Sequence, residues 1–245
     1  MRRGILLLVT ALLLAGRHLA TAAEPVDLAL ALVADVSRSI DDKEFALQKE
    51  GYVAAFTNPN VIAAIRGGAL GAVAVCYIEF AGSGQVRQVL DWSVIRDEAT
   101  AQAFAGRIAE APRSAYGFTA ISGGIDRAVQ AFAEGGFGAA SKRVIDVSGD
   151  GTNNSGRGVN LARHEALALG ITINGLTIIN DHPESYIFAH VQPPGGLTNW
   201  YRDNVIGGPG AFVLEVHDFH SFGEAMTRKL ITEIALGDRG PARAN

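Results

Sequence analysis

The chain has 245 residues, of which 48% are hydrophobic and 19% are charged, and this is enough to bury one sizeable core. A formal net charge of −4 leaves no basic footprint, which argues against nucleic acid as a partner. Cys76 is the single cysteine of the sequence, which excludes an intramolecular disulfide. Its apolar neighbours in AVAVCYIEF favour a packing role.

Residues 1–23 are predicted to form a secretory signal peptide. Arg2 and Arg3 supply the positive start, residues 5–15 form an apolar core, and ATAA is typical of a cleavage site. The apolar core is shorter than the roughly 20 residues that span a membrane. We therefore expect no stable membrane span after cleavage, with an uncleaved anchor as the alternative. Export of a chain without a disulfide is consistent with a bacterial periplasmic or secreted protein.

Beyond that segment, apolar runs of strand length alternate with helical patterns. The first run, residues 26–34, is continuous and rich in Val, Leu and Ala, which predicts a strand buried on both faces. Residues 180–210 contain Pro, Gly and aromatic residues with only weak helical patterning. The predicted strands are 26–34, 73–80, 85–90, 143–148, 171–179 and 211–216, and the predicted helices are 39–56, 98–109, 120–134, 159–169 and 221–236.

Strands joined by crossover helices predict an α/β fold. The sheet is expected to be doubly wound and mostly parallel, with helices on both faces, as in Rossmann-like proteins. The sequence AGSG between residues 73–80 and 85–90 is a hairpin signal, which adds one antiparallel edge strand. We expect one domain over residues 24–237, followed by a flexible C-terminal tail over residues 238–245.

Polar side chains follow the predicted elements where three loops should meet. The first strand leads into Asp35, Ser37 and Ser39. Thr119 lies at the start of a later helix, and Asp150 follows a later strand. Ligands of doubly wound sheets bind at the carboxyl ends of the strands, where the loops gather. Two carboxylates and three hydroxyls are therefore expected to converge there.

This set of oxygen atoms suits a hard divalent cation. Mg²⁺ takes oxygen ligands in octahedral geometry and keeps several waters, so a few hydroxyls and one or two carboxylates suffice. These loops have no soft or nitrogen ligands, which argues against zinc and copper. Because hydroxyl ligands are neutral, the ion keeps much of its positive charge. An open coordination position would then attract an acidic group from outside the protein.

These residues also resemble a known motif. DVSRS (residues 35–39), a distant Thr119 and a distant Asp150 followed by Gly stand in the order of the metal-ion-dependent adhesion site (MIDAS) of von Willebrand factor A-type (vWA) domains. The resemblance covers essentially the whole mature chain, including the hairpin strand. The stretches VIDVSGDGTNN, ITINGL and YRDNVIGGPGAFV more narrowly resemble an uncharacterised bacterial family of exported vWA-like proteins.

The resemblance implies a vWA/Rossmann-like fold and a non-catalytic, adhesion-like protein- or peptide-binding domain. Ser37, Ser39 and Thr119 would contact the ion directly, and Asp35 and Asp150 would act directly or through water. The ion would be Mg²⁺, or else Mn²⁺ or Ca²⁺. A carboxylate presented by a protein or peptide partner would complete the coordination shell.

One position departs from the MIDAS pattern. Arg38 stands where the motif commonly has Gly, which leaves the ligands in place but puts the usual shape of the loop in doubt. A positive charge beside the ion should favour acidic partners and slightly disfavour the metal.

Each part of the motif also has a local structural interpretation. Ser39 with Asp42 fits the spacing of a helix N-cap, Thr119 also fits an N-cap, and Asp150 followed by Gly fits a turn. Asp146 is not expected to join the site. It lies within the strand, about 13 Å from Asp150 at strand rise, and should pair with a neighbouring residue instead.

Two functional alternatives remain open. A metal-dependent hydrolase of phosphate esters would use the same ion as a Lewis acid, but no base or nucleophile accompanies the ion in the predicted loops. Residue 37, two positions after Asp35, is Ser rather than the second carboxylate of an aspartyl-phosphate enzyme. DVSRSID also has no Gly for a phosphate-binding loop. The other alternative is a structural exported domain with a vestigial site.

Overall fold

The computed structural model describes residues 24–138, 140, 142–179 and 192–235. The predicted signal peptide, the predicted C-terminal tail and residues 180–191 lie outside the described residues. In the described part of the chain, no helix is both long and apolar enough to cross a membrane.

Strands and helices alternate along the described chain as the sequence predicts. Six strands form one sheet in the order β3-β2-β1-β4-β5-β6. β2 and β3 pair antiparallel, and all the other neighbours pair parallel, which confirms the predicted fold class. The strands are β1 (Leu28–Asp35), β2 (Val73–Phe80), β3 (Val86–Ile95), β4 (Arg143–Gly149), β5 (Thr172–Ile178) and β6 (Val213–Val216), and the helices are α1 (Asp42–Phe56), α2 (Pro59–Gly67), α3 (Glu98–Glu110), α4 (Ile121–Glu134), α5 (Val159–Ala168), α6 (Leu197–Asn204) and α7 (Phe222–Ala235).

The sequence of β1, LALALVAD, divides the core into two layers. Successive strand residues point to opposite faces, so the Leu side chains lie on one face and the smaller Ala and Val side chains on the other. The Leu face packs against α1, α2, α3 and α7, and the Ala and Val face packs against α4, α5 and α6. Cys76 of β2 lies buried in the second layer as a free thiol.

A glycine of α4 sets the distance of that helix from the sheet. A Cβ at Gly124 would lie 2.6 Å from the Val33 side chain and 3.1 Å from the Phe80 ring, so only Gly fits at this contact. The close contact fixes the start of α4 beside the carboxyl end of β1. From β1 the chain builds one side of the sheet, with β2 and then β3. It then crosses over to β4 on the other side of β1, from which β5 and β6 follow. The ends of β1 and β4 thus form the switch point at which doubly wound sheets bind ligands.

The structure corrects several predicted element boundaries. α1 begins at Asp42 rather than at residue 39, because Asp41 is its N-cap and forms a capping box with Glu44. The N-cap interpretation of Ser39 is therefore wrong, and Ser39 lies in the loop between β1 and α1. α2 was not predicted, β3 continues past residue 90 to Ile95, and α6 is a regular helix within the weakly patterned segment.

α7 is attached to the sheet by buried charges. The Lys229 ammonium lies 2.8 Å from an Asp146 carboxylate oxygen of β4 and 2.5 Å from a Glu233 carboxylate oxygen one turn along α7. The same Glu233 oxygen accepts a hydrogen bond of 2.7 Å from the Asn174 amide of β5. These side chains are almost completely buried. The prediction that Asp146 pairs with a neighbouring residue is confirmed.

Candidate metal centre

The loop after β1 begins with a buried carboxylate. Asp35 is the last residue of β1, and one of its carboxylate oxygens accepts a 2.8 Å hydrogen bond from the Ser37 backbone N–H. This bond turns the chain back over the end of the strand, in the manner of an Asx turn. Asp35 and Ser37 are buried, whereas Ser39 is half-buried and Arg38 between them is exposed.

A chain of hydrogen bonds joins the three predicted hydroxyls to the second carboxylate. The Thr119 hydroxyl donates to Ser37 Oγ at 3.3 Å, and Ser37 Oγ and Ser39 Oγ lie 3.1 Å apart. The Ser39 hydroxyl donates to Asp150 Oδ1 at 2.9 Å. The structure thus brings together all five residues that the sequence singles out, although their role as metal ligands remains a prediction.

Thr119 is not the N-cap of α4. The helix begins at Ile121 after Ala120, and no side chain of Ala120 caps it. Two side chains of the loop after β4 bond to backbone N–H groups here instead. Asn154 Oδ1 accepts from the Thr119 N–H at 2.8 Å, and Asn153 Oδ1 accepts from the Ser122 N–H at 2.9 Å. These two asparagines hold the Thr119 and Asp150 loops together.

An arginine that the sequence analysis did not select fixes the backbone of the first loop. One guanidinium nitrogen of Arg113 lies 2.7 Å from the carbonyl oxygens of both Val36 and Ser37, and 2.8 Å from that of Ile40. The Ser114 N–H next to it donates to a Glu79 carboxylate oxygen at 2.8 Å, which anchors this segment to β2. Recognition of carbonyl oxygens by an arginine has no spacing pattern, so no sequence signal identifies it.

The electrostatics of the cluster fit a cation. Burial, and then the nearby Asp150 carboxylate, raise the pKa of Asp35 well above its usual range, while the Ser37 hydrogen bonds and Arg113 act in the opposite direction. In the described structure Asp35 Oδ2 is buried without a hydrogen-bond partner. A buried carboxylate oxygen that lacks a donor and faces a second carboxylate is an environment that a divalent cation would stabilise. Within the described ranges, no three His, Cys, Asp or Glu side chains cluster as metal ligands, so an ion here would depend on the hydroxyls.

Exposed aromatic and basic side chains border the cluster on its solvent side. The Arg38 guanidinium lies over the Phe118 ring, 4.5 Å from its centroid. The backbone N–H of Arg38 donates to the Gly117 carbonyl at 2.9 Å. Phe118 is 54% exposed and Tyr116 is 57% exposed, which is unusual for large aromatic side chains. We call Arg38, Tyr116 and Phe118 the rim. This cation–π contact holds the Arg38 side chain, at the position where the motif commonly has Gly, over the Phe118 ring.

A family comparison relates the chain to other proteins. The model of a family described as "Protein of unknown function (DUF1194)" matches residues 25–237. The chain belongs to the DUF1194 family. A search of curated proteins finds no match to this DUF1194 protein.

Solved structures share the fold of this DUF1194 protein. Proximal thread matrix protein 1 from the mussel byssus is 17% identical with a TM-score of 0.61, and the match covers 86% of this chain and 48% of that chain. Another structure of the mussel protein, 18% identical with a TM-score of 0.57 over 86% and 48% of the two chains, is described as having a zinc-occupied MIDAS motif. The pilus adhesin SpaC from Lactobacillus rhamnosus GG, in its open conformation, is 15% identical with a TM-score of 0.55 over 87% and 30%.

These likenesses establish a vWA-like fold for the DUF1194 chain, as the sequence predicts. The chain spans about half the length of the mussel protein and less than a third of the adhesin. At such low identity, the similarity concerns the fold.

Proposed function

We propose that this DUF1194 protein is an exported, non-catalytic binding domain that recognises an acidic group of a protein or peptide through a divalent cation. The observation that carries the proposal is the cluster itself. Three hydroxyls in one hydrogen-bonded chain lie beside two carboxylates at the switch point of the sheet, and a buried oxygen of Asp35 has no donor.

Mg²⁺ suits these donors best, with Mn²⁺ or Ca²⁺ as substitutes. Ser37, Ser39 and Thr119 would supply neutral oxygens, and Asp35 and Asp150 would supply the negative charge. Neutral hydroxyls do not reduce the charge of the ion, and a carboxylate that acts through water offsets that charge less than one bound directly, so the ion would keep affinity for a further anion. The zinc-occupied MIDAS described for the mussel protein supports a metal role for this fold, without identifying the ion here.

The rim has the properties expected of a surface that contacts the partner. Arg38 adds a second positive charge beside the proposed ion, which favours acidic ligands and disfavours basic ones. Exposed Tyr116 and Phe118 offer apolar contact area, and aromatic and arginine side chains dominate the energetics of many protein interfaces. The rim and the cluster are contiguous, because Arg38 lies between Ser37 and Ser39 in the chain.

The hydrogen bonds of the three hydroxyls favour a binding role over hydrolysis. Ser37 bonds to the Thr119 and Ser39 hydroxyls rather than to a base. The base that a hydroxyl does reach is the Asp150 carboxylate, bonded to Ser39, and in the proposed site this carboxylate would be engaged with the ion rather than free to activate a nucleophile. The described matrix and adhesin roles of the two structural relatives are consistent with a binding function. Export is supported by the predicted signal peptide, and we place the mature protein in the bacterial periplasm or outside the cell.

The proposal is tested with the mature chain, from residue 24 onward, and defined probes. Titration calorimetry measures Mg²⁺, Mn²⁺ and Ca²⁺ binding. A peptide array then compares short peptides that contain one Asp or Glu with matched Asn or Gln peptides, in Mg²⁺ and in EDTA. We expect ion binding, and retention of acidic peptides that EDTA abolishes. Asp35→Ala should lose both, whereas the exposed surface control Asp91→Ala should lose neither.

Three outcomes would contradict the proposal. The wild-type protein could bind no divalent ion at millimolar concentration, which would favour the vestigial site. Peptides could be retained equally with Gln in place of Glu, or equally in EDTA. Turnover of phosphate esters that requires the ion would favour the hydrolase alternative. Export is tested separately by expressing the full chain in a bacterial host and sequencing the N-terminus, which should lie near residue 24.

A further inference from the structure

Tyr201 of α6 has a hydroxyl without a hydrogen-bond partner in the described structure. The residue is fully buried, in the core layer between the sheet and α4, α5 and α6. Tyrosine hydroxyls that are buried in proteins usually find a partner, because an unpaired donor is costly in an apolar surrounding. Its backbone carbonyl is engaged, since it accepts from the Val205 and Ile206 N–H groups. The unpaired hydroxyl therefore requires an explanation.

The hydroxyl faces the carboxylate that begins the metal centre. A Cβ placed on Gly149 would lie 2.9 Å from the Tyr201 hydroxyl oxygen and 2.9 Å from Asp35 Oδ2. The two oxygens are therefore no further apart than twice that distance, which is within the span of one bridging water. Asp35 Oδ2 also lacks a partner in the described structure. A buried donor and a buried acceptor thus border the same small space, and the missing side chain of Gly149 keeps that space open.

Electrostatics keep this phenol in its donating form. Burial raises the pKa of Tyr201 well above its usual range, and the negative charges of Asp35 and Asp150 raise it further. A phenol that stays protonated at neutral pH donates a hydrogen bond, and a carboxylate oxygen accepts one.

We propose that Tyr201 is a positioning residue of the metal centre, whose hydroxyl donates through one bridging water to Asp35 Oδ2 and so orients the Asp35 carboxylate towards the cation. Asp35 Oδ2 has two lone pairs, so accepting this hydrogen bond leaves it able to interact with the ion. This inference rests on the proposed metal-binding function. Partners of this kind, one step removed from the ion, set the orientation and basicity of metal-binding side chains, and their loss typically weakens metal affinity by about 10- to 100-fold.

The test compares Tyr201→Phe with Tyr77→Phe. Tyr77 is a matched control because its hydroxyl is also fully buried, and the carboxylate beside it is that of Glu79 rather than that of Asp35. Titration calorimetry with Mg²⁺ and Mn²⁺, without any peptide, measures the ion affinity of each variant. We expect Tyr201→Phe to bind the ion about 10- to 100-fold more weakly and Tyr77→Phe to bind it as the wild type does.

A purely structural role would give a different result. Tyr201→Phe would then keep wild-type ion affinity, and this would overturn the inference while leaving the proposed function intact. If the wild type itself bound no ion, the proposed function would fail and the inference with it.

A second measurement uses the unmodified protein and does not depend on the folding of a variant. In carbon-13 NMR of ring-labelled tyrosine, Mg²⁺ should shift the Tyr201 Cζ resonance, because the ion changes the charge at Asp35, to which the bridging water joins the hydroxyl. The Tyr77 resonance should not move. An unchanged Tyr201 resonance at saturating ion would also overturn the inference.

Discussion

The Arg113 guanidinium donates a hydrogen bond to the Ser37 carbonyl oxygen at 2.7 Å, so it holds the backbone of a residue whose hydroxyl belongs to the candidate metal centre. The same nitrogen bonds to the carbonyls of Val36 and Ile40. One side chain thus fixes the shape of the loop that carries three of the five candidate ligands. This contact explains how the loop keeps its shape with Arg38 in place of the usual Gly.

Replacing this arginine should affect both stability and ion binding. Arg113→Ala removes the side-chain donor from the carbonyls of Val36, Ser37 and Ile40, although Ser37 keeps its bond from the Ile40 N–H, and we expect a loss of about 1–3 kcal/mol in the free energy of unfolding. Ion affinity should also fall, because the loop is less well ordered before binding. Arg113→Lys should recover only part of both losses, since an ammonium lacks the planar fork of a guanidinium.

Urea unfolding and titration calorimetry measure these two effects. The exposed Arg66 of α2 provides a matched control, because Arg66→Ala should change stability by less than about 0.5 kcal/mol. Unchanged Mg²⁺ affinity in Arg113→Ala would show that the loop does not need the guanidinium.

Removing the charge of Asp35 should have opposite effects on the metal-free and the metal-bound protein. Burial and the Asp150 carboxylate raise the pKa of Asp35, which means that its charged form is disfavoured in the fold without an ion. Asp35→Asn should therefore make the metal-free protein more stable than the wild type. The same variant should lose the stabilisation that saturating Mg²⁺ gives the wild type.

Thermal unfolding in EDTA and in Mg²⁺ tests this crossover. The wild type should gain stability from the ion, and Asp35→Asn should be more stable than the wild type in EDTA and unresponsive to Mg²⁺. If Asp35→Asn were instead less stable than the wild type in EDTA, the buried charge would be well compensated without a cation.

Replacing the adjacent Asn153 and Asn154 should affect stability and ion binding to different extents. Asn153 bonds to the Ser122 N–H in the first turn of α4 and so replaces the missing cap, whereas Asn154 bonds to the Thr119 N–H. Asn153→Ala should cost about 1 kcal/mol of stability, as the loss of a helix cap does. Asn154→Ala should weaken Mg²⁺ binding more than Asn153→Ala does, because it releases a candidate ligand. Equal ion affinities in the two variants would contradict this assignment.

The mostly parallel sheet and the convergence of the five candidate ligands could be predicted from the sequence for a simple physical reason. Continuous apolar runs identify the buried parallel strands, and polar residues just after them must lie at one edge of the sheet. The start of α1 was misplaced because Ser39 was preferred over Asp41, whose spacing to Glu44 is the stronger capping signal. The nine-residue α2 was missed because a helix of that length carries little periodicity.

The supporting residues could not be predicted in the same way. Arg113 recognises backbone carbonyls, and the asparagines recognise backbone N–H groups, so neither contact depends on a spacing within one element. Tyr201 lies in a segment with weak helical patterning, and its approach to Asp35 depends on how α6 packs against the sheet. Such contacts between distant segments follow only from the assembled fold.

The aromatic part of the rim should matter for peptide binding and not for the ion. Phe118 is 54% exposed and its ring lies under Arg38, so Phe118→Ala removes contact area without opening the core. We expect it to weaken the binding of acidic peptides selected from the array by about 10-fold, equivalent to about 1.4 kcal/mol, and to leave Mg²⁺ affinity unchanged. Leu161 is a matched control, since it is similarly exposed, at 58%, but on α5. Equal losses in Phe118→Ala and Leu161→Ala would argue against a specific rim contact.

Replacing the buried Lys229 should make the stability of the protein depend on pH. Burial, opposed by Lys229, raises the pKa of Asp146 to about 7. Lys229→Met removes the opposing charge, so the pKa of Asp146 should rise further and its carboxyl should stay protonated in the folded state. When the pKa of a carboxyl is higher in the folded state than in the unfolded state, the carboxyl stabilises the fold fully at pH values below its unfolded-state pKa. This stabilisation is lost as the pH rises through its folded-state pKa. The variant should therefore lose about 3–5 kcal/mol at neutral pH, with a larger loss at pH 8 and a smaller one at pH 5.

Urea unfolding of the wild type and the variant at these pH values measures the difference. Arg228→Met is the control, because Arg228 precedes Lys229 on α7 but forms only an exposed pair with Glu224, so its loss should be small and independent of pH. Adding Asp146→Asn to Lys229→Met removes one of the two carboxylates that lose their partner, so it should restore part of the stability lost at pH 8, while the Glu233 carboxylate stays uncompensated. A loss of equal size at pH 5 and pH 8 would mean that the buried carboxylate does not govern how firmly α7 is held against the sheet.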